Sequence, residues 1–149
     1  MRIQVSTEID RPIEEVFQFQ GPAHYQNHPR WDPTVTSLEP VGGGPIGLGS
    51  RFVMSRQMMG RPQTHTFEFV EWERPNRLAI EARSPGFHLR ITSVAQSLAA
   101  DKTLLTLAGE ARMGGPRALL APLMKKKLTR DSAANLARIK AMVESGEGR

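Results

Sequence analysis

From Arg51 onwards the chain alternates apolar and polar residues over several short segments that are joined by short turns. Alternation with a period of two is typical of strands in a sheet that has one dry face and one wet face. The candidate strands in this series are 51–58, 63–72, 77–83, 87–98 and 102–112. Because the connections between them are short, neighbouring strands should pair antiparallel.

Two further strands and two short helices are predicted in the first 50 residues. Met1–Ile9 alternates in the same way, and 34–39 is rich in residues that favour strands. Pro12, followed by Glu14 and Glu15, is typical of the first turn of a helix. The glycines and prolines between positions 21 and 33 leave room for one more short helix.

The last part of the chain predicts a single long helix that begins after Gly114-Gly115-Pro116 and runs for about 28 residues. Pro122 should kink this helix or delay its start. An apolar stripe recurs along it at spacings of four and three. The stripe consists of Leu120, Met124, Leu128, Ser132, Leu136, Ile139 and Val143.

This order of elements predicts an α+β fold. A curved antiparallel sheet of about seven strands would wrap around the long C-terminal helix, with the two short helices after the first strand closing one end. Because such a sheet rarely closes flush on one helix, we expect a hollow between sheet and helix.

Four segments, in this order, resemble a known superfamily. They are IDRPIEEVF at 9–17, WDP at 31–33, GSRF at 49–52 and LARIKAMVE at 136–144. The chain resembles the START-like, or SRPBCC, superfamily, and most closely its polyketide cyclase/dehydrase branch. The resemblance implies a helix-grip fold around a deep apolar cavity that binds lipids, polyketides or similar molecules; some members are aromatase/cyclases. Relatives often carry an acidic residue where this chain has Gly21 or Pro22, so the role of that acid is absent here.

Composition narrows the class of protein further. The chain has 149 residues, which predicts one domain over 1–149. It has no cysteine, which excludes a disulfide-stapled scaffold and thiol chemistry. No apolar run is long enough to span a bilayer, and the first residues do not resemble a signal peptide. We therefore expect a soluble, cytoplasmic protein.

The net charge of +5 lies entirely in the C-terminal segment. Residues 1–115 hold 12 basic and 12 acidic side chains, whereas 116–149 hold 8 basic and 3 acidic ones. The basic residues include Lys125, Lys126, Lys127, Arg130, Arg138 and Lys140. They are consistent with a solvated helix face or with docking on an anionic membrane. A nucleic-acid partner is disfavoured because aromatic residues are not interleaved with them.

The dry faces of the strands and helices supply the candidate ligand-binding residues. These are Tyr25, Trp31, Phe52, Met54, Arg56, Phe67, Phe69, Glu71, Ile80, Phe87, Leu89, Ile91, Ser93, Leu105, Met124 and Leu128. Most are large and apolar, which favours binding of an apolar small molecule such as a lipid, a polyketide or an aromatic metabolite.

Arg56 and Glu71 stand at apolar positions of their strands, where a charge needs a partner. They would pair inside, or Arg56 would bind a ligand's carboxylate or enolate, or both would reach solvent at strand ends. An enzyme of the cyclase/dehydratase type is the alternative, in which Arg56, Glu71, His65 or Ser93 moves protons. No residue stands out as catalytic, since no Ser-His-Asp set or carboxylate pair is evident.

No metal ion or cofactor is predicted. His24 and His28 share a helix face at i, i+4 spacing, but the sequence between them lacks the glutamate of a zinc-peptidase motif. We expect them to line the cavity mouth. The glycine-rich loop at 41–49 lacks the lysine of a phosphate-binding loop, so we expect a mobile loop at the same mouth.

Overall fold

The computed structural model describes residues 1–58 and 60–147. The first elements are β1 (Arg2–Ile9), α1 (Ile13–Gln20), α2 (His24–Trp31) and β2 (Val35–Val41). Five strands follow: β3 (Arg51–Met58), β4 (Arg61–Glu73), β5 (Arg77–Ser84), β6 (Phe87–Ala99) and β7 (Lys102–Met113). A 3-10 turn over Gly115–Leu120 leads into α3 (Ala121–Glu144). Within the described residues this is the predicted set of seven strands, two short helices and one long helix.

The strands form one antiparallel sheet in the order β1-β7-β6-β5-β4-β3-β2. β1, the first strand in the sequence, pairs with β7, the last strand, and Val5 lies opposite Leu107. The remaining strands are neighbours in sequence, as their short turns require. In the β5–β6 turn, Gly86 has a φ of +73°, which glycine adopts without steric cost. The predicted α+β helix-grip fold is confirmed.

Helix α3 lies across the concave face of the sheet, but only its C-terminal half is packed against it. Leu136, Ile139 and Val143 are buried in α3, whereas Met124 and Leu128 are half-buried. We call the region under the C-terminal half the filled end. It is a continuous apolar cluster of Ile9, Val16, Phe19, Leu105, Leu136, Ile139 and Val143 with their neighbours.

The N-terminal half of α3 stands over a cavity, and we call this region the hollow end. Pro122 lies in the first turn of the helix, which begins at Ala121 after the 3-10 turn, as its position predicted. Leu120 was predicted in the inner stripe, but it is 50% exposed. The prediction fails because Leu120 belongs to the 3-10 turn, where the helical spacing does not apply.

An irregularity in the pairing of β4 with β5 changes which side chains face the concave side. Phe69 pairs with Ile80, but two positions later Glu71 pairs with Ala79, so the register shifts at this point. A bulge of this kind inserts one residue and turns the following side chains to the other face. Trp72 consequently pairs with Leu78 and packs edge-on against Phe17 at 5.6 Å, while Glu71 turns to the convex side.

Candidate ligand-binding cavity

The hollow end contains a cavity of about 160 Å³ between the sheet and α3. Its sheet wall comes from β1, β6 and β7, through Ile3, Leu89, Ile91 and Leu107. Its helix wall comes from α3, through Met124, Leu128 and Ser132 among others. Behind it a recess of about 40 Å³ shares His28, Trp31, Ile91 and Leu107 with the main cavity. Most of the wall is apolar, so the cavity suits an apolar molecule.

The third wall is polar and comes from the end of α2 and the end of β3. Asp32 and Arg56 meet there: the Arg56 Nη2 donates a hydrogen bond to the Asp32 Oδ2. Their side chains are only 4% and 15% exposed. A buried charge needs such a partner, so each side chain holds the other against the cavity.

The chain around Asp32 folds so that its carboxylate is fixed in place. Pro33 disfavours helical backbone at the residue before it, and α2 ends there with Asp32 in an extended conformation. The Asp32 Oδ1 then accepts hydrogen bonds from the Thr34 backbone N–H at 3.0 Å and from the Thr34 hydroxyl at 2.6 Å. This local turn leaves the other carboxylate oxygen for Arg56.

Two buried histidines extend the polar wall inward along α2. The Gln20 carbonyl lies 3.1 Å from the His24 Nδ1, so that nitrogen must carry the proton and donate. The His24 Nε2 is therefore an acceptor, and the His28 Nδ1, 3.1 Å away, donates to it. The remaining nitrogen, the His28 Nε2, faces the Asp32 Oδ2 at 3.5 Å. The His28 ring also stacks on Trp31, with centroids 4.1 Å apart.

Burial sets the charge state of these groups. Burial, with a smaller contribution from His28, lowers the pKa of His24 to about 3. Burial also lowers the pKa of His28; the Arg56 charge acts in the same direction and the Asp32 charge opposes it. Burial alone would raise the pKa of Asp32, but the Arg56 charge and the hydrogen bonds from Thr34 outweigh burial and hold that pKa well below its usual range. The wall therefore presents two neutral imidazoles beside a charged pair.

The structure distributes the predicted ligand-binding residues over several places. The main cavity is lined by Trp31, Arg56, Leu89, Ile91, Met124 and Leu128. The recess is lined by Phe69, Ile80 and Ser93, together with Trp31 and Ile91. Phe52, Met54 and Phe67 are fully buried in a second apolar cluster on the far side of the recess, and Leu105 is fully buried at the filled end. Phe87 stacks on His65, with ring centroids 4.2 Å apart.

Three of the predicted placements are wrong, those of Glu71, Tyr25 and the glycine-rich loop. Glu71 lies on the convex face because of the β4–β5 bulge, and it pairs with Arg77 at 2.5 Å and with Arg90 at 2.9 Å. Arg56, the partner considered for it, pairs with Asp32 instead. Tyr25 borders a separate open groove beside the glycine-rich loop. The loop residues 41–44 and 48–50 line this groove and do not line the main cavity.

Asp32 is the main site residue that the sequence did not single out; His28, expected at the cavity mouth, is buried in the cavity wall. The i, i+4 pair His24 and His28 was considered for a metal ion, and Asp32 was used only as part of the WDP motif. The sequence signal that could have indicated Asp32 is its spacing of four residues from His28, the same spacing that separates His28 from His24. Among the described residues no group of three or more potential ligands is arranged to hold a metal ion.

A sequence model of the family described as "Polyketide cyclase / dehydrase and lipid transport" matches residues 1–144. The chain belongs to this family. No curated protein sequence matches it. The family membership supports a ligand-binding or cyclase role.

Solved structures share the fold at low sequence identity. A Thermus thermophilus protein is 20% identical, with a TM-score of 0.81, and the match covers 98% of this chain and 99% of that one. A Streptomyces aromatase/cyclase is 16% identical, with a TM-score of 0.77, over 97% and 93% of the two chains. Norcoclaurine synthase of Thalictrum flavum, in complex with a transition-state analogue, is 15% identical, with a TM-score of 0.76, over 98% and 95%. These likenesses establish the fold.

No helix in the described part of the chain has the length and hydropathy needed to cross a membrane.

Proposed function

We propose that this protein binds a small, mostly apolar molecule that carries one oxygen-bearing polar group. The apolar part would lie against the sheet and α3, on Leu89, Ile91 and Leu128. The polar group would face Arg56. A lipid, a polyketide or an aromatic acid has this distribution of polarity. We propose that the whole chain acts as one domain built around this site.

The observation that carries the proposal is a buried hydrogen-bond donor of Arg56 that has no partner among the described residues, in a cavity whose other walls are mostly apolar. One guanidinium nitrogen pairs with Asp32, but the Arg56 Nε is buried and has no hydrogen-bond partner among the described residues. A buried donor without an acceptor is unfavourable, so a ligand oxygen placed there gains a charge-assisted hydrogen bond. The apolar wall gains from burial of the rest of the ligand.

Binding is testable with anilinonaphthalene sulfonate, an aromatic fluorophore that carries one anionic group. In a Trp72→Phe background the remaining tryptophan, Trp31, lines the cavity and reports occupancy through its fluorescence. We expect saturable binding, and we expect Leu128→Trp, followed by the emission of the probe itself, to abolish it because the indole fills the space. Unchanged binding by Leu128→Trp would place the probe elsewhere and contradict the proposal.

The role of Arg56 needs a variant that keeps the charge beside Asp32. Arg56→Lys retains a cation but lacks the Nε–H, so we expect it to weaken binding of the sulfonate about ten-fold, the size of one charge-assisted hydrogen bond. Arg51→Gln is the matched control, because Arg51 lies on the same strand and its side chain is 59% exposed. Equal effects of the two substitutions would rule out a specific contact by Arg56.

A second candidate function is proton transfer of the cyclase or dehydratase type. It is favoured by the chain of hydrogen bonds from Gln20 through His24 to His28, which leaves the His28 Nε2 lone pair beside Asp32 on the cavity wall. In that reaction the Nε2 would take a proton from a carbon next to a carbonyl. The C–H electron pair would pass to the carbonyl oxygen as an enolate held by Arg56, and Asp32 would stabilise the imidazolium.

Acetophenone in deuterated water tests this second function, since its methyl hydrogens exchange through an enolate. We expect wild-type protein to accelerate the exchange observed by NMR, and His28→Gln to remove the acceleration while sulfonate binding persists. Exchange no faster than in buffer would eliminate proton transfer and leave the binding function standing.

A further inference from the structure

The 3-10 turn and the first turn of α3 carry three exposed leucines at the hollow end. Leu119, Leu120 and Leu123 are 85%, 50% and 65% exposed. Leu119 and Leu120 end the 3-10 turn and Leu123 lies in the first turn of α3, so the three exposed side chains fall within five consecutive residues. We call this surface the leucine patch. Exposed apolar side chains that are clustered in this way mark an interaction surface.

Basic side chains continue directly from the leucine patch. Lys126, Lys127 and Arg130 follow Leu123 at three, four and seven residues. Lys125 directly precedes Lys126 in the sequence. Lys127 pairs with Asp131 at 2.6 Å, but in the described part of the chain no ion pair involves Lys125, Lys126 or Arg130. The first turn of α3 has no acidic residue, so the positive end of the helix dipole adds to the same potential.

We propose that this segment docks on the surface of an anionic lipid bilayer. The leucine patch would enter the boundary between headgroups and acyl chains, while the lysines and Arg130 would contact lipid phosphates, the arrangement by which amphipathic helices bind in the plane of a membrane. Apolar and cationic groups side by side match the two chemistries that such a surface presents.

The other possible partners fit less well. An RNA would use the cations, but it would leave three leucines exposed, and residues 114–131 contain no aromatic side chain for stacking on bases. A second copy of the chain would cover the leucines, but a two-fold contact would bring the two basic segments together.

Docking would also bring the cavity to the bilayer. Met124 and Leu128, which line the cavity, follow Leu123 on the same helix by one and five residues. Lys127 also lines the cavity. An apolar molecule could then pass between bilayer and cavity with little exposure to water. This last step depends on the proposed binding function; the docking itself does not.

Flotation with vesicles tests the docking. We expect the protein to float with vesicles of mixed phosphatidylcholine and phosphatidylglycerol at low salt, less at high salt, and not with phosphatidylcholine alone. Lys125→Gln with Lys126→Gln should weaken binding by about five-fold per charge. Leu119→Ser with Leu123→Ser should remove it. Leu48→Ser is the control, because Leu48 is 69% exposed but belongs to the glycine-rich loop, which does not line the main cavity.

Three outcomes would overturn the proposal. They are no flotation with anionic vesicles, flotation that the double leucine variant retains, and binding of a labelled polyuridine in place of vesicles. Sulfonate binding to each variant in solution separates this proposal from the proposed function. The double leucine variant should keep the cavity and bind the probe as the wild type does, so loss of flotation alone concerns docking.

Discussion

The filled end and the hollow end lie under two halves of one helix with the same apolar spacing. At the filled end Leu136, Ile139 and Val143 meet β1 and α1 directly, and the cluster is continuous. At the hollow end Met124 and Leu128 continue the stripe but meet a cavity. The difference shows that an amphipathic stripe indicates which way a helix faces, and that the opposing residues decide whether the face is packed.

Buried polar groups follow the same division. His28, Asp32 and Arg56 all contribute to the wall at the hollow end. At the filled end one buried polar residue is Thr103, whose hydroxyl donates to the Arg11 carbonyl at 2.8 Å. Two buried atoms of the wall at the hollow end, the Arg56 Nε and the His28 Nε2, have no hydrogen-bond partner among the described residues.

The largest expected effect tests the packing of the two halves directly. Ile139→Ala at the filled end should lower the free energy of unfolding by about 3–4 kcal/mol, because it leaves a cavity in a close-packed cluster. Leu128→Ala at the hollow end should cost less than about 1 kcal/mol, because the side chain already faces open space. Urea unfolding followed by circular dichroism measures both. Equal losses would mean that the two ends are packed alike.

The next effect concerns pH. The pKa of His24 falls from 6.5 in the unfolded chain to about 3 in the folded protein, so between these values the unfolded chain binds the extra proton. The stability that depends on neutral His24 is therefore fully present above pH 6.5. It is lost as the pH falls, so the free energy of unfolding should decrease by about 2 kcal/mol between pH 7 and pH 5. The lowered pKa of His28 acts in the same direction.

Replacing His24 checks the origin of this loss. His24→Gln should flatten the dependence of unfolding free energy on pH over the same range, measured by urea unfolding. His88→Gln serves as the control, since His88 lies on the convex face 3.4 Å from Glu81. A slope that both substitutions leave unchanged would show that the buried histidines are not its source.

Most of the fold was predictable because strands and helices leave local patterns in the sequence. The bounds of β3 match the predicted 51–58, and β4 extends the predicted 63–72 only to 61–73. At the bulge the apolar positions of β4 change phase in the sequence, from Phe67 and Phe69 to Trp72, so that Glu71 takes a polar position. How β4 pairs with β5 after that point depends on the partner strand, which the pattern of one strand does not contain.

The candidate site was less predictable for a similar reason. Arg56 was identified because it occupies a position of β3 where an apolar residue is expected. Its partner Asp32, however, lies 24 residues away at the end of α2. The stripe on α3 did not separate packed residues such as Leu136 from cavity residues such as Leu128. That distinction depends on how closely helix and sheet approach each other, which periodicity does not encode.

The smallest expected effect adds volume instead of removing it. Ser132 lines the cavity on α3, so Ser132→Leu should be neutral or stabilising by up to about 1 kcal/mol, since the new side chain fills existing space. Ala95 belongs to the filled end and is 7% exposed, so Ala95→Leu should cost about 1–3 kcal/mol by overpacking. Thermal unfolding ranks the two variants, and Ser132→Leu should also weaken sulfonate binding. If Ser132→Leu destabilises the protein as much as Ala95→Leu does, the hollow end has no space for the leucine and cannot serve as the binding cavity.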